Sequence, residues 1–343
     1  MATSAISLPE RFLNESLIFS PSNHYYFNNY NQCSNRVYSK SADPCGTAKT
    51  TIVTAFFSIN TKRKNNTLYV EWMKTFFERV ESPIIAYTSP EWVPIIGTFN
   101  KNTEVKIIPI EFDDLFFERR YNEVFWKKQI NLNSEREFVD KKVAIIWLEK
   151  MYFVARAMEE NYFNTEIFVW MDVGIFRTND WFNPDLIGDT RSFTLTSSQL
   201  VVAQIYDQFN ANYLGLSEPP ALGFSGNVQI GSEGRWMDYI SHFERTVDKY
   251  IVYNTTLAND QLVIFSLYRE APEKYVNRLN LLEREANTPD IWFLFSWYLQ
   301  NNYIKLRMDN LKGEQVCLKR EEPKNIVMIY LSSTDITIQL AAY

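Results

Sequence analysis

Three charged residues have types that suit ligand binding and proton transfer, and local sequence patterns place each of them at a strand end or on a helix. Asp172 follows the apolar run 167–171, and a buried strand that ends on a carboxylate places it at the carboxyl edge of an α/β sheet, where open sheets bind ligands. Such a carboxylate can hold a metal ion or a ribose hydroxyl, a lysine such as Lys150 can meet an anion, and Asp260 can accept a proton. The alternative for Asp172 is an ordinary core strand followed by an Asp turn.

Lys150 lies on a long helix that the sequence predicts over 140–160. The apolar stripe of this helix, which contains Lys150, is formed by Val143, Ile146, Trp147, Val154 and Ala157. A buried ammonium is costly unless an anion meets it. That anion would be a ligand diphosphate or an active-site carboxylate; alternatively, the lysine stem packs on the apolar face while the ammonium reaches water.

Asp260 and Gln261 begin a further predicted helix. The Asp260 carboxylate could accept the proton of a hydroxyl group or hold that group in place. It could equally cap the helix, a role for which Asn259 is also suited. The sequence leaves these readings open.

Strand and helix patterns alternate from residue 50 onward. Buried strands are predicted at 51–57, 84–88 and 105–110, with a helical pattern at 69–76, and the helix that carries Lys150 leads into the strand before Asp172. Alternation in this order predicts an α/β fold with a doubly wound, mostly parallel sheet and flanking helices.

The pattern is less regular beyond Asp172. Helices are predicted at 199–212 and 236–250, and the strand at 223–231 has glycines near both ends, which suggests a bend or a close approach of the backbone. Residues 1–48 are rich in Asn, Ser and Tyr and have little periodicity. We expect them to form an N-terminal arm that is not the active unit.

Five motifs occur in a fixed order between residues 50 and 270. They are Thr54-Ala55-Phe56-Phe57, Trp147-x-x-Lys150, Trp170-Met171-Asp172-Val173-Gly174, Gly226-Asn227 and Asp260-Gln261. In this order they resemble the HtrL/YibB-like family, whose members are regarded as glycosyltransferases of the GT-A fold. The resemblance covers roughly residues 50–270 and implies the GT-A fold there. We expect a single GT-A-like domain over 49–343, with a nucleotide-binding half at 49–177 and an acceptor-side half at 178–343.

The resemblance also implies a reaction, the transfer of a sugar from a nucleoside diphosphate donor to a hydroxyl acceptor, with a UDP-sugar as the expected donor. Asp260 and Gln261 would then be catalytic. The donor would be bound by Thr54, Ala55, Phe56, Arg63, Lys150, Asp172, Gly174, Gly226 and Asn227. In this scheme Lys150 holds the phosphates and Asn227 binds sugar hydroxyls through its amide. Because Phe56 and Phe57 point to opposite faces of a strand, at most one of them stacks on the base.

A divalent ion, Mn²⁺ or Mg²⁺, is the cofactor that the resemblance implies, with Asp172 as its ligand, because a diphosphate and a carboxylate both supply hard oxygen atoms. The stretch around Asp172 is similar to the hydrophobic-Asp-x-Asp segment of nucleotide-sugar-dependent glycosyltransferases. Gly174 stands where the second Asp of that segment usually lies. The metal would then have fewer protein ligands, or would not be needed.

Composition narrows the classes of partner. The 343 residues carry a net charge of −6 with dispersed Lys and Arg, which argues against nucleic-acid binding. No apolar stretch approaches the roughly 18 residues that cross a bilayer, and the first residues lack a signal-peptide pattern, so we expect a soluble protein, cytoplasmic by default. Two histidines and three scattered cysteines leave little for a Ser-His-Asp triad, a zinc cluster or a disulfide framework.

Three alternatives remain. A catalytically degenerate GT-A-like domain would bind carbohydrate or a partner without turnover, which the missing second acid favours. A nucleotidyltransferase would share the sheet but normally has a glycine-rich phosphate loop after the first strand, and residues 58–66 contain no glycine. The aromatic segment 291–299 is core in most proteins, but it would mark an interface if it were exposed.

Overall fold

The structure is a computed structural model in which one mixed sheet is flanked by helices. It describes residues 50–59, 66–80, 82–101, 103–133, 136–137, 139–177, 200–204, 224–271, 279–280, 325–331 and 336–342. The predicted arm at 1–48, Arg63 and the aromatic segment 291–299 lie outside the described residues.

Regular elements follow one another in the alternating order that the sequence predicts. The strands are β1 (Thr50–Phe56), β2 (Ile84–Thr88), β3 (Val105–Pro109), β4 (Ile167–Met171), β5 (Val201–Gln204), β6 (Phe224–Ser232), β7 (Leu279–Asn280), β8 (Asn325–Leu331) and β9 (Ile336–Ala342). The α-helices are α1 (Asn66–Arg79), α2 (Val93–Gly97), α3 (Phe116–Arg120), α4 (Glu123–Leu132), α5 (Lys141–Glu160), α6 (Glu233–Val252) and α7 (Asp260–Glu270).

The first four strands form the parallel part of the sheet, in the spatial order β3-β2-β1-β4. The chain runs outward from β1 to β3 and returns to β4 on the other side of β1, so the order reverses between β1 and β4. Val53 pairs with Trp170 across this boundary, and both strands continue beyond this pair toward their carboxyl ends, β1 to Phe56 and β4 to Met171. In open α/β sheets such a reversal opens a crevice at the carboxyl ends of the strands.

The other half of the sheet is mixed, with the order β6-β5-β7-β8-β9 beyond β4. Strand β6 runs antiparallel to both β4 and β5. The prediction of a helix at 199–212 is wrong for residues 201–204, which form β5. This short segment begins with two β-branched residues, and backbone pairing with β6 outweighs its helical periodicity.

Two hydrophobic clusters cover the two faces of the sheet. Phe57 belongs to the cluster that contains α5, α6 and α7, whereas Phe56 belongs to the cluster that contains α1. The prediction that these two rings point to opposite faces is therefore confirmed. Strands β1, β2 and β4 are buried along their whole length, as parallel strands between helical layers are.

The doubly wound, mostly parallel α/β architecture predicted from the sequence is confirmed, and it is compatible with a GT-A-like fold. The division of the chain at residues 48 and 177 stays a prediction. Within the described part of the chain, none of the helices combines the length and the apolar character needed to cross a membrane.

Candidate functional site

Helix α5 places Lys150 in the interior beside the carboxyl edge of the sheet. The helix begins after Asp140, whose side chain accepts a hydrogen bond from the Val143 N–H and so caps the N-terminus. Lys150 is 5% exposed, so the alternative in which its ammonium reaches water is wrong. Its Nζ donates a hydrogen bond of 2.9 Å to the carbonyl oxygen of Gly226 on β6.

Asp172 lies directly beyond β4, where the sequence predicts it. The indole N–H of Trp170 donates a 2.8 Å hydrogen bond to Asp172 Oδ1; the two side chains share a face because they are two residues apart in extended chain. The Asp172 backbone N–H also donates to the carbonyl oxygen of Asn227 at 2.8 Å, which ties the end of β4 to β6. The carboxylate is thus held from two sides.

Asp260 is the first residue of α7, and its carboxylate points back at the sheet. The cap of α7 is Asn259, whose side chain accepts a 2.9 Å hydrogen bond from the Gln261 N–H. The alternative in which Asp260 serves only to cap the helix is therefore wrong. The carboxylate occupies the space that a β-carbon on Gly226 would need, so the absence of a side chain at Gly226 allows this close approach.

The three charged residues predicted from the sequence meet in one cluster. Lys150 Nζ lies 3.3 Å from Asp172 Oδ1 and 3.0 Å from Asp260 Oδ2. Their exposure differs: the Asp172 side chain is 35% exposed, whereas that of Asp260 is 7% exposed. A ligand that enters from solvent therefore meets Asp172 first.

At Lys150 and at Asp260, burial and the nearby opposite charges act on the pKa in opposite directions. Burial alone would lower the pKa of Lys150, but Asp172 and Asp260 outweigh that effect and raise it, so the ammonium stays charged. Burial raises the pKa of Asp260, and the charge of Lys150 only partly opposes the rise. Asp260 Oδ2 has no well-directed hydrogen bond among the described residues, although it lies within ion-pair distance of Nζ. A carboxylate with a raised pKa is a better proton acceptor than an ordinary surface one.

The other acceptor-side residues of the prediction surround this cluster. Gln261 donates its side-chain amide N–H to the carbonyl oxygen of Phe224 at 2.8 Å, which anchors α7 to β6. Asn227 is 9% exposed, and its Oδ1 accepts a hydrogen bond from the Ser225 hydroxyl. Both amides therefore form hydrogen bonds within β6 or to it, while their roles toward a substrate stay predictions.

The nucleotide-side residues lie at the end of β1, and their side chains are buried. Thr54 and Phe56 face the α1 side of the sheet, whereas Ala55 packs with the cluster on the α5 side. Phe56 makes an edge contact with Trp92, with ring centroids 4.6 Å apart. Stacking of Phe56 on a base stays a prediction, and it would require movement of a ring that is only 6% exposed.

Three residues that the sequence analysis did not assign border the cluster, namely Tyr69, Trp72 and Arg177. The Arg177 guanidinium lies over the Trp72 ring, 4.9 Å from its centroid, and its Nε–H donates to the Gly174 carbonyl oxygen at 3.1 Å. Burial raises the pKa of Tyr69, and the positive charge of Arg177 partly opposes this rise. In the sequence, Tyr69 and Trp72 are only two members of a helical repeat, and Arg177 is only an arginine shortly after Asp172.

Gly174 packs against this aromatic wall. A β-carbon at Gly174 would lie 3.1 Å from Tyr69 Cε1 and 3.3 Å from Trp72 Cε3. Its backbone is not in the left-handed region, so the close aromatic rings, rather than backbone strain, favour a glycine here.

The described residues do not form a two-carboxylate site for the expected divalent ion. Among the described residues, no three side chains of the His, Cys, Asp and Glu types converge, and Asp172 and Asp260 are separated by an ammonium. Mg²⁺ needs oxygen ligands at about 2.0–2.1 Å in near-octahedral geometry. A cation already lies between the two carboxylates that would supply them.

Fold and site together define an α/β protein whose doubly wound sheet carries an Asp-Lys-Asp cluster at its carboxyl edge. Residues 48–275 match the model of a family described as bacterial protein of unknown function (HtrL_YibB), and the chain belongs to this family. It is also similar to Protein HtrL of Escherichia coli (strain K12), with 21% identity over 293 residues that cover 77% of this chain and 97% of that protein. The family suggested by the five ordered motifs is thus confirmed.

Proposed function

We propose that the protein is a glycosyltransferase that moves a sugar from a nucleoside diphosphate donor to a hydroxyl acceptor. The first donor to test is a UDP-sugar. In this reaction the acceptor oxygen forms a bond to the anomeric carbon, and the bond from that carbon to the diphosphate oxygen breaks. The hydroxyl proton passes to a protein carboxylate, and the nucleoside diphosphate leaves with the electron pair of the broken bond.

The observation that carries this proposal is the convergence of Asp172, Lys150 and Asp260 beside the point where the strand order reverses. These residues come from the end of β4, the middle of α5 and the start of α7. Ordinary packing does not require two carboxylates and an ammonium at one buried position, and such clusters in a crevice are typical of functional sites. The location is the one where open α/β sheets bind ligands.

The two carboxylates differ in a way that suggests separate roles. Asp172 is the more exposed, and Trp170 holds one of its oxygens, so it suits hydrogen bonds to the ribose or to the transferred sugar. Asp260 has a raised pKa, so it suits acceptance of the hydroxyl proton. That role requires the acceptor to open access to Asp260, since catalytic hydrogen bonds often tighten only in the bound complex.

Arg177 is a better candidate than Lys150 for the donor phosphates. An ammonium has three N–H donors, and three oxygen atoms surround Lys150 Nζ within 3.3 Å. The Arg177 guanidinium is held over Trp72 and beside Gly174 at the partly exposed border of the site, and a guanidinium fork matches phosphate oxygens. Arg63, which the sequence also suggests as a phosphate ligand, stays a prediction.

A ligand screen tests this function directly. We expect a nucleoside diphosphate or its sugar to raise the melting temperature of the protein, since a ligand at about 100 times its dissociation constant adds roughly 2.7 kcal/mol to folded-state stability. UDP-, GDP- and CMP-sugars are compared, with donor hydrolysis as the second readout. Absence of both effects for every nucleotide at millimolar concentration would contradict the proposal.

A second candidate is carbohydrate binding without turnover. The low exposure of Asp260 and the glycine at position 174 favour it, because both reduce what the site offers for chemistry. The two candidates differ in one measurement: a binding module is stabilised by sugar or nucleotide sugar but releases no nucleoside diphosphate over long incubation.

A further inference from the structure

We propose that Lys150 is a resident cation that takes the place of a divalent metal between Asp172 and Asp260, so that the site binds its nucleotide ligand without a metal ion. This inference rests on the proposed function for the identity of the ligand. The part that concerns the metal can be tested without any ligand.

The geometry around Nζ is that of a filled cation site. Its three nearest described oxygen atoms are Gly226 O at 2.9 Å, Asp260 Oδ2 at 3.0 Å and Asp172 Oδ1 at 3.3 Å. These oxygens come from three separate elements, namely β6, α7 and the end of β4. The distances are those of an ammonium ion and are too long for Mg²⁺, which needs about 2.0–2.1 Å.

The lysine is fixed in this position by its surroundings. It projects from the middle of a twenty-residue helix, and its side chain is 7% exposed. The ammonium also lies 5.9 Å from the centroid of Trp170, the residue that holds Asp172. A metal ion could reach both carboxylates only if this buried side chain moved away.

The charge balance also disfavours a metal. With Lys150 in place, the two carboxylates and the ammonium leave one net negative charge. A divalent ion would gain attraction from two carboxylates but would be repelled at short range by the ammonium.

Gly174 fits the same conclusion. The side chain of a second metal-binding acid at this position would meet Tyr69 and Trp72, because a β-carbon there would lie 3.1–3.3 Å from ring atoms of these residues. The site therefore contains aromatic packing where a metal motif would place its second carboxylate, and it contains an ammonium where the metal would lie.

The experiment measures Mn²⁺ binding by electron paramagnetic resonance and calorimetry on the full chain, without nucleotide. For the parent protein we expect no Mn²⁺ binding that depends on Asp172, so Asp172→Asn should bind Mn²⁺ no more weakly than the parent. For Lys150→Ala, which leaves the two carboxylates without a counter-ion, we expect an Mn²⁺ site to appear and to vanish again in Lys150→Ala/Asp172→Asn. A purely structural lysine would give no such gain. A parent site for Mn²⁺ that Asp172→Asn abolishes would overturn the inference.

Two further arms keep the result decisive. If Lys150→Ala does not fold, as judged by circular dichroism, the parent and Asp172→Asn measurements alone support or overturn the inference. Affinity for UDP is also measured in EDTA and in Mn²⁺: we expect a change of less than about twofold, and an Asp172-dependent gain of about tenfold or more contradicts the inference. If no nucleotide binds in either condition, the proposed function fails, while the nucleotide-free Mn²⁺ measurement still decides the role of Lys150.

Discussion

The carboxylate of Asp260 occupies the space that a β-carbon on Gly226 would need, with Asp260 Cγ 3.0 Å from that position. Strand β6 and the start of α7 can approach this closely only because residue 226 has no side chain. The same approach brings Asp260 within 3.0 Å of Lys150, so one glycine on β6 determines whether the charged cluster can assemble.

Gly226→Ala is therefore expected to push the Asp260 carboxylate away from Lys150. Because Asp260 is short and buried, its displacement should lower the free energy of unfolding by about 1–3 kcal/mol and should weaken ligand binding. The control is Gly234→Ala near the start of α6, where a β-carbon would meet no atom within 4 Å and alanine favours the helix by about 0.5–1 kcal/mol. Equal stability of the two variants in urea unfolding would contradict this packing argument.

Lys150→Met is expected to destabilise the protein strongly. Replacement of an isolated buried charge by an apolar chain of similar length can be neutral or stabilising. In the structure the substitution instead leaves the Asp260 carboxylate buried without its counter-ion, which costs about 3–5 kcal/mol. Lys150→Met/Asp260→Asn should recover most of this loss, and Lys141→Met on the same helix, where the ion pairs are more exposed, should cost less than about 1 kcal/mol.

The pH dependence of Lys150→Met provides an independent check. Burial raises the pKa of Asp260, and the ammonium is the main influence that opposes this rise. Without the ammonium the pKa lies further above its unfolded value, so the native state of the variant binds a proton more readily than the unfolded chain. The deficit in stability should then shrink as the pH falls and Asp260 becomes protonated. A deficit that stays constant from neutral to acid pH would mean that lost packing, rather than an uncompensated charge, is its cause.

The sequence predicted the individual positions of the site better than their mutual arrangement. An apolar run that ends on Asp172 and an apolar helical stripe that contains Lys150 are local signals, and both residues lie where these signals place them. The contact between Lys150 and Asp260 depends on how α7 packs on β6, and no local period reports such packing. Likewise, β5 was predicted as a helix because its strand conformation depends on its pairing with β6.

The wall formed by Tyr69, Trp72 and Arg177 shows the same limit. Tyr69 and Trp72 satisfy a helical repeat, and such repeats most often serve the core. Their second role follows from a contact across the fold, since Gly174 and Arg177 after β4 pack against the start of α1. The pairing of β1 with β4 places these two segments at the same edge of the sheet, and both belong to the hydrophobic cluster on the α1 side.

Gly174→Asp is expected to destabilise the protein without creating a metal requirement. The new side chain would have to displace the rings of Tyr69 and Trp72, and such overpacking costs about 1–3 kcal/mol. Because the backbone at Gly174 is outside the left-handed region, Gly174→Ala should cost less than Gly174→Asp. Thermal unfolding of both variants, with and without Mn²⁺, tests this: a fully stable Gly174→Asp whose activity becomes dependent on Mn²⁺ would refute it.

Glu149 should make the stability of the protein fall between acid and neutral pH. Burial raises the pKa of this carboxyl to about 7, although the N–H groups of Phe116 and Phe117 at the start of α3 donate hydrogen bonds to it and oppose the shift. Because the folded pKa lies above the unfolded one, the native state binds more protons between about pH 4.5 and about 7, and stability decreases as the pH rises through this range. The loss is at most about 3 kcal/mol.

Glu149→Gln removes this titration. The variant should lose about 1 kcal/mol at low pH, since an amide has one oxygen where the carboxyl has two, and its stability should vary less up to neutral pH. The measurement is the free energy of unfolding in urea at several pH values for both proteins. If the two pH profiles run parallel, Glu149 does not titrate in this range.

Asp172→Asn tests whether the exposed carboxylate of the cluster takes part in the reaction. The amide keeps the shape and retains an oxygen that can accept the Trp170 indole N–H, so the fold should survive with a loss of about 1–2 kcal/mol. Donor hydrolysis or sugar transfer should fall by about a hundredfold or more, because the charge that faces the ligand is lost. The matched control is Asp238→Asn. Asp238 is an exposed carboxylate on α6 that pairs with Arg235, and its substitution should leave turnover unchanged.

Turnover and nucleotide binding of the parent, Asp172→Asn and Asp238→Asn are measured in EDTA and in Mn²⁺. Near-parental turnover in Asp172→Asn would remove Asp172 from the catalytic machinery, whereas lost turnover with intact nucleotide binding would place its contribution in the transition state rather than in donor affinity.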